Sequence, residues 1–491
     1  MLPSFQDDAL LITLLLDCKI PRNGYSIFWQ RFIPTHSQTQ TNKAARMLKS
    51  AQTLSAIPEV PISEISGCDG ENLCHIYMEA QIFSPDSKHF IVHSGSTPHG
   101  THDPTKHVYY RCDIDDDFSL HPMTDRLQVT CPAISPDGKF FYYIVTNWQR
   151  HDHGAPIELR RKNLDGSDDI IITAIPGRLP GSNLLLGEVY PLSTISSDGQ
   201  RLATRIALFS TRTQCWTYAL VVFCLDQGDY FISFSDPEYV NAHPQYSRSL
   251  DPVESHDIML QHNHAHQHDN KRLLDALRAK GVSLAPRAAG TDIHVICDDG
   301  THLRDLPFGR SATEMALGHQ CWVGRSNWII VQCKQWAQPH FINNVPSPFQ
   351  NPVPDIGVYL FAAQPMERFD HLGVNTPDMH RLPLCTHAPD NWFGHFGGDI
   401  EGRRIIVDAM NPERQLSRLY LIRLGNLDQG ETPGPDDWKL LGDCLTSNKG
   451  PNYGIEHSHP FLSPDGRYAF FNSNVSGILR PYVADLKNLD F

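Results

Sequence analysis

The sequence offers little that would place the protein in an oxidising compartment, on nucleic acid or in a membrane. Its 12 cysteines include no Cys-x-x-Cys pair and no regular framework, so we expect reduced thiols and a cytoplasmic location. The formal net charge of −14 argues against general binding to nucleic acid or anionic membranes. The apolar run 9–16 is too short to span a bilayer, and two aspartates precede it where a signal peptide carries positive charge. A small anionic substrate would need a local basic pocket.

A turn of the Ser-Pro-Asp-Gly type recurs along the chain. It is complete at 135–138 and 463–466, and variants of it lie at 84–87, 196–199, 247–251, 323–327 and 399–402. An apolar run such as FFYYIV or YAFFNS follows each turn. Proline followed by Asp-Gly suits tight turns between strands. The seven repeats predict an all-β protein, a seven-bladed β-propeller of four-stranded blades, with a solenoid as the competing geometry.

The two ends of the repeat region complement each other. The last unit stops after RPYVADL, and residues 57–83 precede the first turn, so we expect the N-terminal and C-terminal segments to close the ring. The propeller then spans 57–491. Residues 1–56 do not match the repeat and are expected to form a partly disordered or helical extension. No G-x-S-x-G elbow or hydrolase domain follows, which argues against the propeller of a serine peptidase.

Two insertions interrupt the repeat. Residues 270–287 predict a short amphipathic helix, and residues 336–355 predict a loop rich in proline and asparagine. Insertions of this kind lie in loops at the ends of a propeller, where they shape the mouth of a site or are simply tolerated.

Histidines recur at one place in the unit, shortly before the turn, where a strand runs toward the propeller axis. They are His75, His243, His319, His395, His457 and His459, and His262 lies in the same unit as His243. In a closed ring these side chains would converge on one central cavity as a metal or catalytic site. Taken singly, each is better explained as a hydrogen-bonded core imidazole. The alternating histidines of 262–268 resemble a metal-binding tag, but a solvated loop is the favoured interpretation for His264, His266 and His268.

Five segments resemble the oligogalacturonate lyase family. They are Cys-His-Ile-Tyr at 74–77, Ile-Met-Leu-Gln-His at 258–262, EMALGHQCW at 314–322, the segment 392–408, and His-Ser-His-Pro at 457–460. The resemblance covers roughly residues 65 to 490, and the segments occur in the same order as in the family. The histidine placements are much more specific than the turns, which many propellers share.

The resemblance implies a divalent metal, most likely Mn²⁺, at the centre of the propeller. Its imidazole ligands would be His319, His457 and His459. His262 falls on the family's catalytic histidine, and Arg248 or Arg212 is the candidate for its catalytic arginine. The family's reaction is β-elimination: a base removes the C5 proton of a uronate, the C4 oxygen leaves, and a 4,5-unsaturated product forms. A metal on the carboxylate would stabilise the enolate-like intermediate, while a neutral histidine or an activated arginine takes the proton.

Further residues of the matching segments are expected to contact the substrate, a small anionic oligosaccharide. They are His75, His243, His395 and Trp322. The sequence departs from the family at Gly454, which stands where the family has a glutamine ligand; Asn452, Glu456 or a water are the alternatives. Two functions therefore stay open: a lyase acting on short uronic-acid oligosaccharides derived from pectin, and a non-catalytic propeller that serves as a binding platform. The sequence does not predict the oligomeric state.

Overall fold

The computed structural model describes most of the repeat region. The described residues are 57, 60–66, 72–77, 79–95, 107–125, 128–146, 153–263, 291–308, 314–336, 341–342, 345–346, 355–366, 381–385, 392–411, 416–445 and 458–491. The predicted extension 1–56 and the insertion 270–287 lie outside these residues, as does most of the insertion 336–355.

The recurring turn is held by its own side chains. The hydroxyl of Ser135 donates to Asp137 Oδ1 at 2.6 Å and accepts from the backbone N–H of Phe140 at 2.9 Å. Gly138 takes a φ of +72°, a left-handed conformation that favours glycine. The same serine–aspartate bond recurs in the turns that begin at Ser84, Ser196 and Ser463. Each turn therefore fixes the antiparallel pairing of the strands on either side of it.

The strands are labelled by consecutive segments of the chain, units 1 to 7. Units 4 and 5 belong to one eight-stranded sheet, because Thr291 pairs with Ala316. The first strand, β1 (Ile62–Glu64), joins the last unit. Unit 1 comprises β2 (Cys74–His75), β3 (His89–His93), β4 (Tyr109–Asp113) and β5 (Ser119–Pro122). Unit 2 comprises β6 (Val129–Ile134), β7 (Phe140–Thr146), β8 (Ile157–Asn163) and β9 (Ile170–Ile175). Unit 3 comprises β10 (Leu184–Val189), β11 (Thr194–Ile195), β12 (Arg201–Ser210), β13 (Cys215–Cys224) and β14 (Asp229–Asp236). Both β10 and β11 pair with β12, so they act as one interrupted inner strand.

The second half of the chain continues the same pattern. Unit 4 comprises β15 (Gln245–Tyr246), β16 (Asp257–Asn263), β17 (Thr291–Cys297) and β18 (Arg304–Asp305). Unit 5 comprises β19 (Glu314–Trp322), β20 (Ile329–Trp336), a hairpin of β21 (Phe341–Ile342) and β22 (Val345–Pro346), β23 (Asp355–Ala363) and β24 (Arg381–Cys385). Unit 6 comprises β25 (Trp392–Gly398), β26 (Arg404–Asn411), β27 (Leu416–Arg423) and β28 (Trp438–Leu445). Unit 7 comprises β29 (Phe461–Leu462), β30 (Tyr468–Ser473) and β31 (Arg480–Asp485). Thus the insertion predicted as a loop contains a two-stranded hairpin in its described part.

The prediction of an all-β fold built from four-stranded antiparallel sheets is confirmed. Among the described residues, helix is limited to short 3-10 turns at Ile114–Asp116, Glu254–His256, Leu427–Gln429 and Pro435–Asp437. None of the described helices is long and apolar enough to cross a membrane.

The first and last strands of the repeat region share one sheet. β1 pairs antiparallel with β31, and Ile62 lies opposite Ala484. Contacts between turns also join neighbouring units. The hydroxyl of Ser197 in unit 3 donates to the carbonyl of Ser247 in unit 4 at 3.1 Å. The N–H of Asp465 in unit 7 donates to the hydroxyl of Ser87 in unit 1 at 3.2 Å, which connects the two ends of the chain.

The apolar core lies between neighbouring sheets. Phe90 of unit 1 packs against Phe470 of unit 7 with ring centroids 4.7 Å apart, and both rings are fully buried. A separate buried cluster joins unit 6 to unit 7 through residues such as Ile406 and Phe471. Burial of apolar side chains at about 25 cal/mol per Å² is the main force that holds sheets of this kind together.

Candidate functional site

The inner strands of several units are irregular where they carry site residues. The pairing register shifts between Ala316 and Gln320 in β19 and between Phe393 and Phe396 in β25. A β-bulge bends a strand and re-aims the side chains at that point. His319 and His395 lie inside these two bulges, so the irregular backbone directs their imidazoles away from the regular strand faces.

Two more histidines reach the same region through a strained backbone. His243 precedes β15 and His459 precedes β29, and each has a φ of +43°. A left-handed φ is uncommon for residues other than glycine and costs free energy of order 1 kcal/mol, so it persists only where the surroundings require it. The equivalent positions and equal φ values show that units 4 and 7 present a histidine by the same local device.

Three imidazoles meet where units 5, 6 and 7 come together. The ring of His395 lies 4.3 Å from that of His319 and 3.8 Å from that of His459, between centroids. We call these three residues the axial cluster. His395 and His459 are almost completely buried. The structure therefore brings together two of the predicted metal ligands, and the third member is a residue predicted to contact the substrate.

Hydrogen bonds fix the orientation of the axial imidazoles. Nδ1 of His319 lies 2.8 Å from Gln332 Oε1, to which an Nδ1–H group donates, and the ring also contacts the backbone of Gly394. Burial lowers the pKa of His319, which keeps this ring neutral. The backbone N–H of His395 donates to Asp408 Oδ1 at 2.6 Å, and the Ser458 hydroxyl donates to Oδ2 of the same carboxylate. A carboxylate behind an imidazole is a common support for metal-binding histidine.

The axial cluster forms part of the wall of a cavity of about 440 Å³. Other lining residues that matter to the chemistry are Tyr77, Glu188, Tyr190, Arg205, His243 and Gln261. This volume lies in the range of small-molecule sites. The cavity therefore combines imidazoles, phenols, a carboxylate and a guanidinium.

Arg205 provides positive charge in this cavity. Its Nη2 donates to the carbonyl of Val240 at 2.7 Å, and its Nη1 lies 3.4 Å from Glu188 Oε2. The guanidinium also stacks over Tyr190 at 4.9 Å from the ring centroid. Its Nε is buried without a hydrogen-bond partner among the described residues. A buried guanidinium with an available N–H group is suited to bind a carboxylate, as the predicted basic pocket requires.

His243 is paired with a second buried group. Its Nδ1 lies 2.7 Å from Glu79 Oε2, and both side chains are almost completely buried. Burial lowers the pKa of His243 to about 3, and burial raises the pKa of Glu79. We therefore treat the contact as a neutral hydrogen bond rather than an ion pair, with Nδ1–H donating to Oε2.

Two residues predicted to contact the substrate are packed into the core. His75 lies between units 1 and 7, with Nδ1 2.7 Å from the carbonyl of Ile76 and Nε2 3.3 Å from the carbonyl of Ser458. Burial lowers the pKa of His75 to about 4. The indole N–H of Trp322 donates to the carbonyl of Gln245 at 3.1 Å. Neither side chain is among the described residues that line the cavity.

The predicted catalytic residues lie apart from the axial cluster. His262 follows Gln261 on β16 and therefore points to the opposite face of the sheet, where it stacks on Tyr239 with centroids 4.6 Å apart. Arg248 donates to the carbonyl of Glu79 at 3.2 Å, and burial lowers its pKa to about 10. Arg212 is exposed. The catalytic roles of His262 and Arg248 stay predictions.

The predicted ligand His457 lies outside the described residues, as do His264 to His268 and Gly454.

Sequence reasoning missed the tyrosines that line the cavity and several charged site residues. Among the charged residues are Glu79, Arg205 and Asp408. Arg205 and Asp408 occur inside the apolar runs RLATRIAL and RIIVDA. A charged residue in the middle of a buried strand needs a partner, because burying an unpaired charge is costly. A charged residue inside an apolar strand therefore could have marked Arg205 and Asp408 as site residues. No such pattern surrounds Glu79 in the sequence.

The known structures most informative for this site share its fold. No protein-family model and no curated protein matches the sequence. An oligogalacturonate lyase in complex with manganese is 15% identical, with 88% of this chain and 94% of that chain covered and a TM-score of 0.58. An oligogalacturonate lyase from Vibrio parahaemolyticus is 14% identical, with 88% and 95% covered and a TM-score of 0.57. The resemblance seen in the sequence is thus confirmed as a shared fold.

Proposed function

We propose that the protein is a metal-dependent lyase that cleaves short uronic-acid oligosaccharides, such as those derived from pectin, by β-elimination to 4,5-unsaturated products. The observation that carries the proposal is the axial cluster, three imidazoles that face a cavity containing a buried arginine. The shared fold with a manganese-bound oligogalacturonate lyase supports it.

We also infer that the units form the predicted seven-bladed ring closed by both ends of the chain. The pairing of β1 with β31 supports this closure, because it places the N-terminal strand in the last unit. The hydrogen bond between Asp465 and Ser87 supports it independently, because it joins the turns of units 7 and 1. A closed ring removes exposed sheet edges and brings the inner strands around one axis.

The axial cluster supplies imidazole ligands for a divalent metal. The three imidazoles are not among the described groups whose ligand atoms all lie within 4.8 Å of one another, so the rings would draw together around an ion. Neutral imidazoles are ligands for manganese, zinc, nickel and iron, and burial keeps His319 neutral. His319, His395 and His459 would hold the ion, with His457 as a further ligand two residues before His459. His395 offers a third imidazole in the described part of the shell, which offsets the glycine at position 454. We expect Mn²⁺ first among these metals.

The chain's own residues would bind and orient the substrate. A bound divalent ion would neutralise the uronate carboxylate and so acidify the neighbouring C5 proton. The guanidinium of Arg205 would bind a carboxylate of the substrate in the same cavity. The aromatic faces of Tyr77 and Tyr190 line the same space and would pack against the sugar rings.

His243 is our preferred acceptor for the C5 proton. It lines the cavity, burial lowers its pKa so that the imidazole is neutral, and its contact with Glu79 orients the ring. The ring of Tyr77 lies between this residue and the axial cluster, 5.3 Å from His243 and 5.1 Å from His459. Burial raises the pKa of Tyr77, so its phenol keeps a proton that it would give to the departing C4 oxygen.

The lyase activity is tested by following near-ultraviolet absorbance while purified protein is incubated with di- and trigalacturonate. We expect a rise that requires Mn²⁺ and is stopped by a chelator. His395→Gln should lose bound metal and turnover together, because it removes one imidazole of the axial cluster. His121→Gln is the matched control, since His121 is an exposed histidine of unit 1. Metal bound at the axial cluster without turnover on any uronide would favour the binding platform.

The proton acceptor is tested by comparing His243→Gln with His262→Gln. If His243 accepts the proton, its variant should keep axial metal and lose about 100-fold or more in turnover, a typical contribution of general base catalysis. His262→Gln should then retain turnover in proportion to the folded protein present. The reverse pattern would support the assignment made from the sequence, and a loss only in Arg248→Lys would favour Arg248.

A further inference from the structure

A second group of metal-binding side chains lies between units 3 and 4, outside the axial cluster. One ligand atom each from His262, Asp292 and His294 lie within 4.8 Å of one another, and all three residues are buried. His262 also forms such a group with Asp236 and Glu238. Among the described residues, these two groups are the ones whose ligand atoms all lie within 4.8 Å of one another, and His262 belongs to both.

The strand pairing explains why these residues meet. β16 and β17 are antiparallel, and His262 lies directly opposite Asp292. His294 is two residues after Asp292, so its side chain points to the same face of the sheet. That face is turned toward unit 3, whose Glu238 places Oε2 2.8 Å from His262 Nε2. Two units therefore contribute to one cluster.

A cation would balance the negative charges of the cluster. Asp292 and Asp305 are almost completely buried, and Asp305 Oδ1 lies 2.7 Å from Nδ1 of His294. Together with Glu238, three carboxylates thus surround two imidazoles. Burying ionised carboxylates is costly unless they are paired or bound to a metal. A divalent cation would neutralise two of these charges while both imidazoles stay neutral; protonation of both imidazoles is the competing state.

We propose that His262, Asp292 and His294 bind a structural divalent transition metal, with Glu238 or Asp305 as the fourth ligand. Two imidazoles and carboxylate oxygens suit a borderline ion such as Zn²⁺, Co²⁺ or Mn²⁺. The site is closed: Tyr239 stacks on His262 at an angle of 20°, and the three ligands are buried. Closed sites of this type stabilise folds rather than catalyse reactions. This ion would tie unit 3 to unit 4, whether or not the protein is a lyase.

The site is tested with Co²⁺, whose visible absorption reports coordination. The starting protein is the full chain with His264, His266 and His268 replaced by alanine, so that the histidine-rich run cannot bind the probe. After treatment with a chelator, Co²⁺ binding is measured by equilibrium dialysis. His294→Gln and Asp292→Asn should each bind one ion fewer than the starting protein. His256→Gln, a half-buried histidine of the same unit, should bind as many ions as the starting protein.

A second comparison distinguishes Co²⁺ bound at the proposed structural site from Co²⁺ bound at the axial cluster. In His395→Gln, where the axial site is impaired, excess Co²⁺ should still raise the thermal midpoint, because a ligand that binds the folded state stabilises it. The double variant His395→Gln/His294→Gln should show no such rise. Circular dichroism first establishes that each variant is folded. Unchanged stoichiometry in both His294→Gln and Asp292→Asn would overturn the proposal, even if the axial cluster binds metal and the protein is an active lyase.

Discussion

At the residue scale, burial rather than hydrogen bonding decides the charge of the core histidines. His107 illustrates this. Its Nδ1 lies 2.9 Å from the carbonyl of Val129 and its Nε2 lies 2.9 Å from Nδ1 of His93. Burial lowers the pKa of His107 to about 4, although the bond to Val129 favours the charged form. The desolvation cost therefore exceeds the gain from the hydrogen bond.

This lowered pKa predicts a loss of stability in acid. Below an unfolded-state pKa of about 6.5, the unfolded chain binds a proton at His107 that the folded chain does not, so the free energy of unfolding falls by about 1.4 kcal/mol per pH unit. The loss continues until the pH reaches the folded-state pKa of about 4. Between about pH 7 and about pH 5, His107→Gln should therefore lose about 2 kcal/mol less than the wild type. Denaturant unfolding at both pH values measures this difference; equal losses would mean that His107 is protonated in the fold.

At the element scale, the turns were predictable and the strand irregularities were not. The Ser-Pro-Asp-Gly signal is local, since the serine, aspartate and glycine that form the turn are adjacent in the chain. The strands that follow were predicted for the same reason. A bulge, in contrast, changes which face a side chain occupies and depends on the neighbouring sheet. The sequence therefore identified His319 and His395 as inner-strand histidines but did not show the bulges in which they lie.

The glycine of the turn gives a prediction for a single element. Gly138 and Gly181 have nearly equal φ values of +72° and +71°. A Cβ at Gly138 would come within 2.9 Å of Pro85 Cδ in the neighbouring turn, whereas a Cβ at Gly181 would meet nothing within 4 Å. Both alanine variants carry the left-handed penalty of about 1–2 kcal/mol. Gly138→Ala should cost more, because the turns of units 1 and 2 must also move apart.

The comparison of Gly138→Ala with Gly181→Ala isolates the contact between units. Denaturant unfolding of both variants gives the two losses of stability, and their difference reports the crowding against Pro85. Equal losses would indicate that the neighbouring turn moves aside without cost. Gly181 is a suitable control because its backbone conformation matches and its surroundings are open.

At the scale of the whole molecule, the order of the units could be predicted from the sequence, but the residues that line the cavity could not. The repeat of turns predicted the sheets, and the segment before the first turn was expected to supply a strand, which it does as β1. The cavity depends on residues far apart in sequence. Glu79 meets His243 across 164 positions, and no local pattern marks such a pair. Long-range placement of polar groups is therefore the part of the site that needed a structure.

The pairing of β1 with β31 predicts how the whole molecule depends on its N-terminal strand. Ser63 is exposed and lies opposite Val483, and the N–H of Ile65 donates to the carbonyl of Pro481 at 2.9 Å. Because hydrogen-bonded pairs alternate in an antiparallel ladder, the N–H of Ser63 also points to β31. Ser63→Pro removes that donor and should cost about 1–3 kcal/mol, whereas Ser63→Thr should change stability by less than about 0.5 kcal/mol.

If β1 closes a ring, the loss should shift the unfolding of the entire repeat region, because every sheet then relies on the same closure. Unfolding followed by tryptophan fluorescence and by far-ultraviolet circular dichroism should move together; a proline variant as stable as the threonine variant would show that the N-terminal strand does not hold the ring.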